Sequence, residues 1–395
     1  QGVDEGSEAH EVAVGVDGGP DPSDGDVDAE SDASIAAVAE DAPEPPRIPI
    51  PRFDEEPTTR VSIHRGRRSV VVSGEGLEIN GSRQRRVVEI GWTESALTLR
   101  GKALPDGATV TADGDIRVRK IGSFPGSLIF FHTETHMLLV NEVPLERYVE
   151  SVVQSEVPAV WPREVHKAQA VAARTYALAR MALQGGQYSL ESSVMDQVYR
   201  PRRLDKGLVE AVRATRGEVL VFGKGLIETK YHSACGGRTE NPDEVWPELG
   251  MGHQWSVSCG TCTESPHYRW SLSLTFDVLQ RRLGEVRSGL KRVTGVQVTK
   301  RSRARRVLAV EVRTEKGSFV VTGRAFRRAV SLRKVRSTSF EVRPRPGGIT
   351  LEGRGFGHGE GMCQWGASGM AETGRSYTEI LQHYYRSAEL RHAYE

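Results

Sequence analysis

The sequence has no long apolar run and few cysteines. No stretch approaches the roughly 18 apolar residues of a membrane-spanning helix, so we expect no transmembrane segment. Only four cysteines occur in 395 residues, and 7% of the chain is aromatic. With 38% hydrophobic residues, the chain has enough apolar bulk for one large domain or two. Its first residue is Gln1 rather than Met, which we attribute to removal of a leader or trimming of the chain.

Basic residues are almost missing from the first 58 positions. This segment holds 17 Asp or Glu and only two Arg, and Phe53 is its sole aromatic residue. Such a composition cannot bury enough apolar area to offset the entropy lost on ordering. The sequence therefore predicts a disordered acidic linker over residues 1–58.

The rest of the chain is basic, with 51 basic and 35 acidic residues after position 58. Its basic clusters at 65–68, 83–86 and 300–306 lack interleaved aromatic residues and any known nucleic-acid-reading motif. We therefore predict solvated faces there and no nucleic-acid partner. Another polyanionic partner would suit the excess positive charge.

Residues 59–137 have the pattern of β structure. Short β-branched or alternating runs, such as 61–63 and 69–72, are separated by tight-turn pairs such as Asn80-Gly81 and Asp106-Gly107. No chemistry-bearing motif accompanies them. We predict a β-rich accessory region that packs as a separate lobe.

Residues 145–181 predict two helices separated by a kink. Pro144 suits a first helical position, because its missing N–H would have no partner there. Pro158 ends the first helix, and an Ala-rich second helix runs from near residue 162 to about residue 183. The apolar stripe of the first helix consists of Leu145, Tyr148, Val149, Val152 and Val153.

Glu156 occupies the next position on that stripe, where an apolar residue is expected. One interpretation is a partly exposed residue at a helix end. The other is a general acid, because the apolar neighbours Val157, Pro158 and Trp161 would raise its pKa. A carboxyl group that stays protonated near neutral pH is what acid catalysis at a glycosidic oxygen requires.

The cysteines predict a metal centre. Cys259 and Cys262 form a C-x-x-C pair, and His232 and Cys235 form an H-x-x-C pair, which together fit a structural zinc site. His267 or Cys363 could replace His232 as the fourth ligand. A Cys259–Cys262 disulfide is the rival interpretation outside the cytoplasm. No organic cofactor is expected.

Two further segments have the composition of a ligand site. Tyr231 and Ser233 precede a Gly236-Gly237 turn, so an aromatic ring and a hydroxyl could meet a sugar beside accessible backbone. Residues 353–367 alternate glycine with other residues, but no Gly-Lys-Ser/Thr follows, which argues against a phosphate loop. A structural turn is the alternative at both places. Helices should follow at 362–372 and after a Ser376/Glu379 capping box.

These motifs resemble the SpoIID/LytB family of cell-wall proteins, named for the stage II sporulation protein D. The resemblance runs from about residue 138 to residue 390, with the motifs in the family's order: 155–158, 167–176, 196–199, 231–240 and 353–367. It implies an α+β fold with a helical catalytic core and antiparallel β-sheets over residues 138–395. A β-rich subdomain is expected at about 271–345.

The resemblance also implies a function, that of a peptidoglycan lytic transglycosylase. Glu156 would protonate the oxygen between N-acetylmuramic acid and N-acetylglucosamine, then take a proton as the 1,6-anhydro ring closes. Glycan strands would be the partner, other cell-wall hydrolases a second one, and the bacterial periplasm or envelope the location after export. The implied substrate contacts are Lys167, Gln169, Arg174, Tyr176, Asp196, Tyr231, Ser233, His358 and Gln364.

Two other functions remain open at this point. A non-enzymatic module could bind glycan and activate a separate wall hydrolase, as the LytB side of the family implies. A zinc hydrolase would need an open metal position, which a site rich in thiolates does not favour.

Overall fold

A computed structural model of the chain describes residues 48–50, 53–192, 196–201, 204–223, 225–245, 256–285 and 287–395. The first 47 residues of the predicted acidic linker lie outside this range. None of the helices in the described part combines the length and apolar content that a membrane crossing demands.

The first part of the fold is made of strands. In chain order they are β1 (Ile48–Pro49), β2 (Thr58–Gly66), β3 (Val70–Ser73), β4 (Glu78–Ile79), β5 (Ser82–Arg83), β6 (Val87–Trp92), β7 (Leu97–Leu99), β8 (Lys102–Leu104), β9 (Ala108–Thr111), β10 (Ile116–Val118), β11 (Gly122–Phe124), β12 (Ser127–His132) and β13 (Met137–Pro144).

Helices dominate the central part. Its elements are α1 (Leu145–Glu156), α2 (Arg163–Leu183), β14 (Leu190–Glu191), α3 (Lys206–Arg213), β15 (Glu218–Phe222), β16 (Gly225–Leu226), β17 (Tyr231–His232) and α4 (Pro242–Val245).

The last part mixes strands and helices. Its elements are β18 (Arg269–Thr275), α5 (Phe276–Gly284), β19 (Val293–Arg301), β20 (Val307–Thr314), β21 (Gly317–Thr322), α6 (Gly323–Val330), β22 (Phe340–Arg345), β23 (Gly348–Arg354), β24 (Met362–Cys363), α7 (Gln364–Glu372), α8 (Tyr377–Tyr384) and β25 (Glu389–His392). The predicted combination of helices with antiparallel sheets is confirmed.

Two sheets hold most of the early strands. A seven-stranded sheet has the order β14-β2-β13-β12-β9-β4-β5, and a six-stranded sheet has the order β11-β10-β3-β6-β7-β8. Strand β13 runs directly into α1, and residues of both sheets share one hydrophobic core with α1 and α2. Because this core is continuous across residue 137, it does not mark a domain boundary there. The predicted boundary stays a prediction.

Helices α1 and α2 form where the sequence placed them. The buried face of α1 contains the predicted apolar stripe, Leu145, Tyr148, Val149, Val152 and Val153. Its last hydrogen bond runs from the Val157 N–H to the Val153 carbonyl, before Pro158 stops the helix. Helix α2 is buried along most of its length. Its many small alanine side chains let α1, α3 and β15 pack closely against it.

An inserted subdomain lies between β17 and β24 in the chain. It contains the three-stranded sheet β18-β23-β22 and the antiparallel meander β19-β20-β21, with α5 and α6 beside them. A second hydrophobic core, with Leu279, Val310, Phe326 and Leu351, belongs to this subdomain alone. The predicted β-rich subdomain thus has a core of its own.

The end of the predicted acidic linker is part of the fold. Strand β1 pairs with β16, and the Phe53 N–H donates to the Ala393 carbonyl. Glu56 accepts a hydrogen bond from the Glu146 N–H and pairs with Arg216. The disordered segment was therefore predicted too long: residues 48–50 and 53–58 are held, because Glu56 satisfies an open N–H at the start of α1.

Candidate active site and metal centre

Glu156 is the last residue of α1, and its partly buried carboxyl accepts two hydrogen bonds. Oε1 accepts from the Val198 N–H at 2.9 Å, and Oε2 accepts from the Gln364 side-chain amide at 3.4 Å. Burial raises the pKa of Glu156, and these two hydrogen bonds oppose the rise without cancelling it. The group is therefore a carboxyl that holds its proton to a higher pH than an exposed glutamate.

An amide pair connects Glu156 with the centre of α2. The side-chain nitrogen of Gln364, the first residue of α7, also donates to Gln169 Oε1 at 3.4 Å. Gln169 is fully buried, and its Nε2 has no hydrogen-bond partner among the described residues. Three of the predicted site residues thus form one short chain of hydrogen bonds.

The loop after β14 supplies the second wall of the site. Gln197 accepts from the Tyr148 hydroxyl at 2.9 Å and donates to the Ala173 carbonyl at 3.2 Å. Asp196 accepts from the Tyr176 hydroxyl at 2.7 Å and from the Glu191 N–H at 2.8 Å. These bonds fix the loop so that the neighbouring Val198 N–H meets Glu156.

The glycine-rich segment packs against β17. Strands β17 and β24 pair in parallel, with Tyr231 opposite Met362. Gly361 has a φ of +67°, and a Cβ atom there would lie 1.9 Å from the Lys230 carbonyl oxygen, so only glycine allows this close approach. The segment is thereby held beside Tyr231, whose phenol has a pKa raised by burial and by the charge of Glu156.

His358 uses both ring nitrogens inside the protein. Nε2 bonds the Tyr231 carbonyl at 2.8 Å, and Nδ1 accepts from the Glu360 N–H at 3.1 Å. Burial lowers its pKa to about 4, so the ring is neutral at physiological pH. Its predicted contact with substrate stays a prediction, and the observed contacts fix the glycine-rich segment.

Seven of the nine predicted substrate residues fall into three places. Tyr176, Asp196, Tyr231 and His358 line one cavity, whereas Glu156 is not part of its lining. Ser233 lies beside α7, where its carbonyl accepts from the Trp365 N–H at 3.0 Å. Gln169 and Gln364 lie with Glu156.

Arg174 does not face a substrate site. It is fully buried and forms a two-pronged ion pair with Glu146, at 2.8 Å for both nitrogens, and a bond to the Glu218 carbonyl at 3.1 Å. The predicted contact with substrate is wrong, because the guanidinium of Arg174 has no solvent-exposed surface that a ligand could contact. Lys167 pairs with Glu164 at 2.6 Å, and its Nζ lies over the Tyr377 ring, 5.3 Å from the ring centroid.

Four cysteines form the candidate metal centre. The sulfur atoms of Cys235, Cys259, Cys262 and Cys363 all lie within 4.8 Å of one another, are buried, and form no disulfide. His232 was predicted as a ligand, but it does not belong to this cluster. Its Nδ1 bonds the Glu360 carbonyl, and Cys363, opposite His232 in the β17–β24 pair, takes its place.

The donor set fits a tetrahedral metal ion. Four sulfurs at about 2.3 Å from a zinc ion would stand about 3.8 Å apart, and Cys235 and Cys262 lie 3.5 Å apart. Backbone N–H groups of Cys235 and Gly366 point at Cys363 Sγ, at 3.2 and 3.3 Å, and stabilise charge on it. The cluster could therefore hold a metal.

Two tryptophans that contact each other were not predicted as site residues. Trp161 and Trp365 meet edge to face, with ring centroids 5.0 Å apart, and both are partly exposed. Trp161 follows Glu156 by five residues, and Trp365 follows Gln364. Their positions in or near two motifs could have marked them in the sequence. Their contact with each other is visible only in the fold.

Comparisons with known proteins converge on one family. A family model described as stage II sporulation protein, SpoIID, matches residues 133–222, and a domain of unknown function, DUF8618, matches residues 259–361. Stage II sporulation protein D of Bacillus amyloliquefaciens is 32% identical over 286 residues, 68% of this chain and 80% of that protein. The Bacillus subtilis protein of that name is 30% identical over 272 residues, 64% and 76% of the two chains. The B. subtilis amidase enhancer is 28% identical over 288 residues, 61% of this chain and 40% of that protein.

Proposed function

This chain belongs to the SpoIID family, and we propose that it is a lytic transglycosylase that cleaves the glycan strands of peptidoglycan. Membership of the family supports a role at the bacterial cell wall. The finer assignment depends on one observation. Glu156 is a partly buried carboxyl with a raised pKa, fixed by the Val198 N–H and the Gln364 amide.

The proposed reaction needs one acid–base group. Protonated Glu156 gives its proton to the glycosidic oxygen between N-acetylmuramic acid and N-acetylglucosamine, and that bond breaks. The carboxylate then accepts the proton of the muramyl 6-hydroxyl, whose oxygen closes the 1,6-anhydro ring on the same sugar. The proton balance closes, so Glu156 ends each cycle protonated.

The surroundings of Glu156 suit this single-carboxylate route. Asp196, a carboxylate of the adjacent loop, is held by Tyr176, the Glu191 N–H and Arg180. Among the described residues, the groups that shift the pKa of Glu156 are the Val198 N–H and the Gln364 amide, and neither is a carboxylate. A nucleophile within the substrate removes the need for the second carboxylate of ordinary glycosidases.

Zinc is the proposed occupant of the four-cysteine cluster. Four thiolates close the coordination sphere, so the ion would contribute stability rather than a catalytic water. This donor set argues against a zinc hydrolase. The ion would hold Cys363, and through it the adjacent Gln364, at a fixed place beside Glu156.

The proposed partner is the glycan strand, and the proposed location is the bacterial envelope after export. Other cell-wall hydrolases are a further proposed partner class, because one relative is named as an amidase enhancer. A pure activator would bind glycan without cleaving it, which the following experiment would detect.

The test is digestion of purified peptidoglycan with wild type and with Glu156→Gln, followed by mass spectrometry of the products. Loss of general acid catalysis should reduce the release of anhydromuramyl ends by about 10²- to 10⁴-fold. Binding to glycan strands should persist, because glutamine keeps the shape of the side chain.

A matched control is Glu210→Gln, which makes the same change on the exposed face of α3 and should leave turnover unchanged. Equal product release by wild type and Glu156→Gln would show that another residue is the catalytic acid. Binding without release by either protein would establish the activator instead. Reducing ends in place of anhydro ends would indicate hydrolysis.

A further inference from the structure

A cavity of about 540 Å³ lies between the inserted subdomain and the helical core. One wall comes from the core and includes Gln197, Tyr231 and His358, and the opposite wall comes from β19–β21 and α6. This volume is in the range of sites that bind small organic ligands. The cavity approaches Glu156 through Gln197, whose neighbour Val198 donates to that carboxyl.

The acidic residues of the cavity already have cationic partners. Asp196 and Glu228 both pair with Arg180, at 3.6 and 3.5 Å. Glu360 pairs with Lys230 at 2.9 Å, and Glu244 pairs with Arg303 at 3.7 Å. Three of these carboxylates are thus taken up by Arg180 and Arg303, whereas the charge of Glu360, like that of the buried Glu240, also acts on Arg306 without lying within ion-pair distance of it.

Several cations of the opposite wall form no ion pair with any carboxylate that the structure describes. Among the described residues, no carboxylate lies within ion-pair distance of Lys300, Arg306 or Arg328, all of which line the cavity. Arg327 lines it too and donates only to backbone carbonyls, those of Val335, Arg336 and Leu332. The wall contributed by the inserted subdomain thus carries an excess of positive charge.

Arg306 is the most unusual of these cations because it is buried. Only 2% of it is exposed, and its Nη2 donates to the Cys235 carbonyl at 2.8 Å. Its Nε and Nη1 have no hydrogen-bond partner in the described part of the chain. Gly359 covers the guanidinium, since a Cβ atom there would lie 2.2 Å from Cζ. An ion so placed acts on the cavity through its field, with little screening by water.

We propose that this cavity binds a carboxylate carried by the glycan substrate. The inference rests on the proposed function, because it names the part of that substrate that the cationic wall would recognise. Peptidoglycan offers two sources of this group, the lactyl ether of muramic acid and the stem peptide. A carboxylate in the cavity would pair with Lys300 and Arg328 at the exposed part of the wall, and its charge would add to those of Glu240 and Glu360 near the buried Arg306.

Binding is the measured quantity, in a Glu156→Gln background that prevents turnover. Three ligands of equal length separate the chemistries: a neutral chitooligosaccharide, a peptide-free glycan with lactyl carboxylates, and a glycan with stem peptides. Lys300→Gln combined with Arg328→Gln should weaken binding of a carboxylate-bearing glycan about three- to tenfold. Binding of the neutral oligosaccharide should not change, and added salt should reduce the difference.

Lys316→Gln combined with Arg281→Gln is the matched control, because both residues are exposed on the same subdomain and neither lines the cavity. A loss of affinity seen only with the peptide-bearing glycan assigns the stem peptide, and a loss with both carboxylate ligands assigns the lactyl group. Equal affinities for all variants, or equal weakening with the neutral ligand, overturn the inference.

The proposed function can fail separately. Wild type that releases no product while the charge effect on binding persists refutes the enzyme and keeps the carboxylate site. If wild type cleaves the glycan but the loss of these charges does not change binding, the enzyme is kept and the carboxylate site is refuted.

Discussion

At the scale of single residues, two opposing effects set the pKa of Glu156. Burial disfavours its charge, while the Val198 N–H and Gln364 amide favour it. A glutamine at position 156 would face the amide nitrogen of Gln364. Rotation of the Gln364 and Gln169 amides would restore both bonds, and the Gln169 Nε2 that now lacks a partner would gain one. Glutamine should therefore fold well here.

The raised pKa of Glu156 predicts a pH-dependent difference in stability between wild type and Glu156→Gln. Between the unfolded pKa, about 4.5, and the raised folded pKa, the folded protein holds the extra proton. Wild type therefore loses stability as pH rises through this window, and the variant lacks that loss. We expect urea unfolding to show the stability of Glu156→Gln gaining on that of wild type as pH rises above about 4.5.

Glu164→Gln provides a control of opposite sign. Burial raises the pKa of Glu164, but hydrogen bonds from Lys167 and the Tyr377 N–H bring it below its usual value. Wild type therefore gains stability from Glu164 as pH rises toward about 4.5, the unfolded pKa, and the gain is complete above it. Glu164→Gln should lose ground only in this acid range, below the range in which Glu156→Gln gains. A stability difference independent of pH at position 156 would contradict the raised pKa.

Arg174 and Lys167 show what residue types and spacing can and cannot predict. They share a face of α2, but Arg174 pairs with the buried Glu146, whereas Lys167 pairs with the partly exposed Glu164. Arg174→Met should lower the free energy of unfolding by about 3–5 kcal/mol, because it leaves the Glu146 charge buried and unpaired. Lys167→Met should cost less than about 1 kcal/mol, since water screens its pair. Denaturant titration compares the two; similar losses would remove the distinction.

At the scale of elements, local patterns predicted the helices well. The apolar stripe and two prolines bound α1, and the Ser376/Glu379 capping box begins α8 as predicted. The fourth member of the cluster stayed open between His232, His267 and Cys363, because β17 and β24 pair across about 130 residues of intervening chain. Within that pair His232 and Cys363 are opposite each other, and local spacing cannot reveal which one turns toward the three cysteines.

This pairing yields a prediction about the metal. Cys363→Ser should lower the zinc content of the purified protein and its melting temperature, because metal binding is coupled to folding of the site. His232→Gln should keep the full zinc content, since the ring lies outside the cluster. Metal analysis and thermal unfolding, each with and without a chelator, give both quantities. Retention of zinc by Cys363→Ser and its loss from His232→Gln would restore the original ligand set.

At the scale of the whole molecule, the site is assembled from distant parts of the chain. Glu156 and Gln364 are separated by 208 positions, and the inserted subdomain with its own core lies between them. Motif order could predict that these residues belong to one family site. It could not predict that the insertion contributes a cationic wall, because Lys300, Arg306 and Arg328 follow no recognised motif and their shared cavity exists only in the fold.

The N-terminal segment provides a prediction at the same scale. Beyond the β1–β16 pairing and the Glu56 contacts, the Pro57 carbonyl accepts from the Leu145 N–H at 2.9 Å. Residues 48–50 and 53–58 thus belong to the fold, and the contacts of Glu56 and Pro57 hold the start of α1, the helix that ends at Glu156. A chain that begins at residue 44 should melt at the temperature of the full chain, because the acidic composition before it offers little apolar surface to bury.

A chain that begins at residue 59 should melt several degrees lower, since open N–H groups at a helix start and a lost strand each cost stability. Glu56→Ala should give part of that loss, because it removes both the bond to the Glu146 N–H and the ion pair with Arg216. Glu55→Ala, an adjacent exposed carboxylate, is the control. Thermal unfolding of these proteins decides the matter: if the chains from 44 and from 59 melt together, the segment contributes nothing to the placement of α1.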